Sequence, residues 1–277
     1  MTAPRNLFDY EVAAHAILPQ SVYDYYEGGA DDEVTLRATR AVFERYYLRP
    51  RVLVDVSRID TSIELLGERL PFPVLLAPAA FQRLAHPDGE LATARAAAEA
   101  NTILIASTLA NCCIEDIAAA ANGRVWLQLY VFRDRALTRD LVQRAQAAGC
   151  RAICLTVTVP VQGNRERDAR NAFRLPDTVQ IANFPAVRQE RLPEATESAL
   201  EAFIHQEFDA TLTWDTIAWL RSVTDLPIVV KGITHPADAR LAVEHGVAAF
   251  IVSNHGGRQL DSAEPTLQSL PHVVDAV

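Results

Sequence analysis

The 277-residue chain has a length that two ordinary domains, or one α/β barrel of about 250 residues, would fill equally well. Charged residues make up 22% and apolar residues 49%, and no window approaches the eighteen or so uninterrupted apolar residues of a membrane span, which argues against disorder and against a membrane protein. The formal net charge of −9 sets the surface against phosphate backbones, so no nucleic-acid partner is expected, although a few buried arginines could hold a small anion.

The N-terminus, MTAPRNLFDYEVAAH, carries an acidic residue by position 9 and no apolar core, unlike a secretory leader. Cys112, Cys113, Cys150 and Cys154 fit neither a disulfide framework nor zinc-ligand spacing, so reduced thiols, no metal and a cytoplasmic location are expected. Residues 1–70 read as a helical cover. Gly28 and Gly29, followed by Asp31 and Asp32, break it into two helices, the second capped by the acidic pair.

From about residue 71 to 277 the pattern changes to a barrel, and the whole chain reads as one domain. Apolar runs at 74–77, 103–107, 125–130, 152–157, 228–231 and 248–253 are continuous rather than alternating, as parallel strands buried on both faces are. Between them GELATARAAAEA, RDLVQRAQAAG and PADARLAVEHG have helical spacing and serve as crossover helices. A weak repeat supports this. Asn101, Gly149 and Gly246 end such helices, and seven residues later stand Thr108, Thr156 and Ser253 at strand ends. A doubly wound sheet is the rival, but no GxGxxG follows the first strand, so a (β/α)8 barrel is favoured. Residues 161–210 hold no convincing strand and carry NRERDARN, and are expected to form a lid over the site.

Chemistry concentrates at the strand ends. SNHGGRQ, residues 253–259, places an imidazole and a guanidinium at the rim where barrel enzymes keep their active sites, which favours His255 as a general base over a structural histidine beside a turn. VKG presents Lys231, able to stabilise a cofactor's negative charge, to form a Schiff base or to reach solvent. QLY presents Gln128 and Tyr130, either partners for a ring or a satisfied part of the core.

VYDYYEGGADDE, LAPAAFQRLAHPDGE, QLYVFRDR, LTV, VKG and SNHGGRQLD, in that order, resemble the FMN-dependent 2-hydroxy-acid oxidase and dehydrogenase family, which includes glycolate and lactate oxidases. The resemblance runs from about residue 7 to the end. It implies FMN as cofactor and oxidation of a small (S)-2-hydroxy acid; with no haem-binding domain ahead of the barrel and no membrane insertion evident, O2 is the expected acceptor rather than a cytochrome or quinone, with hydrogen peroxide as product. It implies that His255 takes the hydroxyl proton, with hydride transfer and a carbanion route both open at flavin N5. Arg258 and Arg165 would clamp the substrate carboxylate, and Tyr25 and Tyr130 its carboxylate and hydroxyl. Lys231 would stabilise the reduced flavin, with Pro78, Ala79, Ala80, Ser107, Gln128, Thr156 and Ser253 lining its ring and Leu109 beside the substrate side chain.

Two departures from the family pattern stand out. Where the family reads T-V-D, this chain reads Thr156, Val157, Thr158, so the carboxylate that orients the histidine is replaced by a hydroxyl. The family also continues into two further strands that hold the FMN phosphate, whereas the sequence stops at Val277. The expectation is a barrel lacking its last two βα units, a homo-oligomer when complete, with residues 1–277 alone binding FMN weakly. The rival reading is a catalytically impaired fragment that serves as a binding or assembly module.

Overall fold

A computed structural model describes residues 3–176, 179–184 and 199–277. The N-terminal cover begins with three helices, α1 (Leu7–Ile17), α2 (Gln20–Glu27) and α3 (Val34–Ala41). The Asn6 side chain accepts from the Asp9 amide and caps α1. The break between α2 and α3 falls at Gly28 and Gly29 as expected, but the acidic pair does not cap α3. That role belongs to Asp261, more than two hundred positions away, whose carboxylate accepts from the Val34 amide at 3.1 Å and the Thr35 amide at 2.7 Å.

Residues 1–70 are not helical throughout, which corrects the sequence reading. Ile63–Leu65 (β1) and Glu68–Leu70 (β2) form an antiparallel hairpin. Its turn is Leu66 and Gly67, both at positive φ (49° and 79°), the two-residue geometry that matches strand twist.

The parallel sheet has five strands in sequential order: β3 (Leu104–Ala106), β4 (Val125–Leu129), β5 (Ile153–Thr156), β6 (Ile228–Ile233) and β7 (Ala249–Val252). The first expected strand, at 74–77, is reduced to a single parallel bridge between Leu76 and Leu104. Its other edge has no neighbour among the described residues, so nothing extends the ladder on that side.

Between the strands run α4 (Glu90–Glu99), α5 (Ile114–Ala120), α6 (Arg135–Ala147), α7 (Glu166–Arg170), α8 (Ala199–Glu207), α9 (Asp215–Arg221) and α10 (Pro236–Glu244), and α11 (Thr266–Val274) follows β7. Asn101, Gly149 and Gly246, expected as helix ends, all adopt positive φ. Strand residues divide by parity. Leu104, Leu127, Ile153, Leu155 and Val230 join the helices in one apolar cluster. Ile105, Trp126, Cys154 and Val229 face the other way and join Leu70 of the hairpin. A parallel sheet with helices outside and an apolar lining inside is an arc of a (β/α)8-type barrel. The expected lid at 161–210 lies partly outside the described residues; its described parts hold α7, α8 and no strand.

Candidate active site

The C-terminal ends of the strands surround a cavity of about 340 Å³. All of the residues assigned to the site from the sequence line it: Tyr25, Pro78, Ala79, Ala80, Ser107, Gln128, Tyr130, Thr156, Arg165, Lys231, Ser253, His255 and Arg258. Leu109 is there too, together with Tyr26, Val159, Gln162 and Ile204, which the sequence reading did not single out. Val159, Gln162 and Ile204 come from loops or the lid, where no strand periodicity marks a direction.

The loop after β7 aims its side chains by a tight backbone path. His255 adopts φ 60°, Gly256 70° and Gly257 71°, and the Asn254 side chain accepts from the Gly256 amide at 3.1 Å. A left-handed histidine costs of order 1–3 kcal/mol, so surrounding contacts must hold it there. The Ser253 hydroxyl oxygen accepts from the His255 amide at 3.1 Å, and the Gly257 carbonyl accepts from the Ala30 amide at 2.9 Å. Gly257 is needed on steric grounds as well, because a Cβ there would come within 2.6 Å of the Leu36 nitrogen.

Arg258 turns inward and donates to the carbonyls of Tyr26 (3.1 Å) and Gly28 (2.6 Å), with its guanidinium 5.4 Å from the Tyr25 ring centroid. Arg165, at the start of α7, donates to the Gln259 side chain at 3.3 Å. The Gln259 amide in turn donates to the carbonyls of Thr158 (3.1 Å) and Val161 (2.9 Å), tying the end of β5 to the β7 loop. α7 itself is anchored to the N-terminal cover by Arg167, which pairs with Glu27 and Glu33.

Charge inside the cavity is mostly positive. Burial and the neighbouring Arg165 push the Arg258 guanidinium down to about 10. Burial lowers the Lys231 ammonium, which makes no ion pair or hydrogen bond among the described residues. Burial, then Lys231, Arg165 and Arg258, hold the His255 imidazole well below its ordinary range, so it is neutral and able to accept a proton. Burial raises the phenols of Tyr25 and Tyr130, against the pull of the arginines. The His255 Nδ1 lies 2.7 Å from the Thr158 hydroxyl. With Nδ1–H donating to that hydroxyl, Nε2 carries the lone pair of a base.

Residues 14–277 match the FMN-dependent dehydrogenase family. The chain is 50% identical to L-lactate oxidase of Nostoc sp. (strain PCC 7120 / SAG 25.82 / UTEX 2576) over 282 aligned positions, covering all of this chain and 77% of that protein. It is 45% identical to glycolate oxidase of Spinacia oleracea, covering 98% of this chain and 73% of that one. A crystal structure of mandelate oxidase with (S)-4-hydroxymandelic acid superimposes with a TM-score of 0.93 at 45% identity, over 98% of this chain and 76% of that one. The chain belongs to the FMN-dependent dehydrogenase family.

The residues of this family member fit a flavin ring on their own evidence. Gln128 is buried, its carbonyl oxygen fixed by the Thr108 amide (3.1 Å) and the Ser107 hydroxyl (3.4 Å), which leaves its Nε2 unpartnered inside the protein. The buried Thr156 hydroxyl is also unpartnered. Thr156 pairs with Lys231 across β5 and β6, and Gln128 is on β4, the next strand over. Orphaned donors facing a cavity are costly unless a ligand meets them, by about 1–3 kcal/mol each. A flat heterocycle with carbonyl and ring-nitrogen edges would satisfy all three, seated against the backbone at 78–80. Among the described residues no helix is long and apolar enough to cross a membrane.

Proposed function

We propose that this protein oxidises a small (S)-2-hydroxy acid to the 2-oxo acid, with FMN as cofactor and O2 as the electron acceptor, giving hydrogen peroxide. The observation that carries the reading is the convergence of one neutral imidazole, two inward guanidiniums and the flavin-compatible set Gln128, Thr156 and Lys231 on one cavity.

Arg165 and Arg258 supply planar donor forks for a carboxylate, and a carboxylate between them relieves the repulsion that lowers Arg258. Tyr25, stacked on Phe173 at 4.6 Å, is held rigidly against the same pair. Tyr130, stacked on Phe208 at 4.6 Å, lines the same cavity and offers its hydroxyl to the substrate. His255 Nε2 takes the proton of the substrate hydroxyl, while Thr158 holds the other ring nitrogen. Bound FMN supplies the two-electron acceptor for the carbon that bears that hydroxyl. The apolar wall of Leu109, Val159 and Ile204 excludes water and suits a short hydrocarbon side chain. Oxygen as acceptor is supported by the lactate, glycolate and mandelate oxidases to which the chain is similar. A cytoplasmic setting fits four cysteines that are all free thiols. The convergence of these residues on one cavity favours oxidation over the binding-module reading.

The test is anaerobic mixing of the FMN-loaded protein with L-lactate, glycolate and L-mandelate. At least one acid should bleach the flavin absorbance, and His255→Ala should abolish the bleaching while FMN remains bound. Equal bleaching rates in parent and variant would remove His255 from the mechanism.

A further inference from the structure

The imidazole of His255 has an unusual set of neighbours. The charges acting on it are Lys231 from β6, Arg165 from the start of α7 and Arg258 from its own loop, all positive. The other ionisable groups at the cavity, Tyr25 and Tyr26 from α2 and Tyr130 after β4, are neutral phenols held above their ordinary range. Cys154 of β5 is a buried thiol pushed up to about 12. The buried carboxyl of Asp168 lies towards the two arginines. What touches the ring directly is the Thr158 hydroxyl, 2.7 Å from Nδ1.

That hydroxyl is held in place. A Cβ on Gly232 would stand only 2.6 Å from the Thr158 Cγ2, so the methyl lies flat on the glycine backbone. The Thr158 carbonyl is fixed by Gln259. With methyl and carbonyl both pinned, the hydroxyl oxygen is directed at the imidazole. When it accepts from Nδ1–H, Nε2 is left as the basic nitrogen. A hydroxyl, unlike a carboxylate, brings no negative charge to balance the imidazolium that proton transfer creates.

We infer that Thr158 is a positioning residue that holds the ring of His255 through Nδ1 without compensating its charge, and that the compensating charge is the bound carboxylate itself, so that carboxylate binding and proton uptake by His255 are coupled. An anion lodged between Arg165 and Arg258 sets one negative charge against the three positive neighbours of the imidazole, and the proton affinity of Nε2 rises. In turnover the proton comes from the substrate hydroxyl: the O–H bond breaks, the Nε2–H bond forms, and the substrate carboxylate balances the new cation. The base is therefore switched on by the group that identifies the substrate as an acid. The inference rests on the proposed carboxylate clamp.

The experiment is calorimetric titration of the FMN-loaded protein with oxamate, a monoanion that has no hydroxyl to oxidise, in buffers of different ionisation enthalpy between about pH 5 and pH 7. The slope of observed heat against buffer enthalpy counts protons. Uptake rising toward about one proton as pH falls below 6.5 is expected, and His255→Asn should abolish it. Thr158→Val keeps the methyl and removes the hydroxyl, and should move the uptake window to lower pH. Thr158→Asp should move it up by about one pH unit or more and speed flavin reduction at least about tenfold. Binding without uptake, uptake that survives His255→Asn, or one unshifted window in all three Thr158 forms would each overturn the inference while leaving the clamp standing. Failure of oxamate to bind at all would overturn the clamp and, with it, this coupling.

Discussion

At the residue scale, the site is built from ordinary side chains whose properties are set by what surrounds them. His255 illustrates the sign of the effect. Burial and three cations depress its proton affinity, so the neutral, basic form persists as pH falls through 6.5, where an exposed histidine would already be half protonated. The acid limb of kcat/KM, which reports the free enzyme, should therefore lie below 6.5. The same depression links to folding: the stability associated with a neutral His255 is present above about 6.5 and lost as pH falls toward the folded value. A pH profile of kcat/KM checks the first statement, and a limb at or above 6.5 would contradict it. The arginines make a second case. Lysine at position 165 or 258 keeps a positive charge but loses the planar fork, so each substitution should raise KM for the acid roughly tenfold, with kcat less affected. Arg258→Lys should also lower the thermal midpoint, because the guanidinium spans two backbone carbonyls, those of Tyr26 and Gly28. Steady-state kinetics on both variants would show whether KM moves.

At the element scale, the βα repeat was legible in the sequence because a strand buried on both faces must be apolar throughout, and helices must end where the chain can turn left-handed. Ile153–Thr156 and the left-handed Gly149 before it are one such pair. Gln128, Tyr130, Lys231 and His255 were legible for the same reason, since they follow apolar runs, whereas Tyr25 inside α2 and Arg165 at the start of α7 were legible only through the family resemblance. What was not legible depends on distant contacts. The hairpin Ile63–Leu70 is too short for a period, and only the Leu66–Gly67 turn could have signalled it. The cap of α3 could not be read locally either. Asp31 and Asp32 stand next to the helix, yet Asp261 binds its two leading amides. Burial works against that carboxyl, but the Thr35 and Val34 amides prevail and hold it below the usual range. Asp261→Ala should accordingly destabilise the fold by about 1–2 kcal/mol, read as a lower urea midpoint at unchanged slope. Asp31→Ala, which removes only an exposed bond to Asn164, should have a smaller effect, and equal effects would put the cap elsewhere.

At the scale of the whole molecule, the arc has two parallel edges without a strand neighbour among the described residues, one at residues 74–77 and the other along β7. Between them opens an apolar cleft of about 520 Å³ lined by the buried Ile105, Trp126 and Val229, the half-buried Leu75 and Ile251, and the exposed Phe43 and Leu270. A parallel strand is normally apolar on both faces because both are covered, so an uncovered edge exposes hydrocarbon as well as unpaired amides. The segment ahead of the hairpin adds to this, with Leu48 97% exposed and Tyr47 87%. Solvation of such surface is unfavourable by roughly 25 cal/mol per Å², and a second copy of the chain is the nearest apolar surface available. The net charge of −9 opposes approach, but salt at physiological strength screens it beyond about 8 Å. Residues 1–277 by themselves should therefore associate as their concentration rises through the micromolar range, and more so in high salt. Light scattering against concentration and ionic strength tests this, and Leu48→Lys with Ile251→Lys should reduce the effect. A chain that stayed monomeric to about 100 μM in high salt would show that these edges are covered in solution by the protein's own segments.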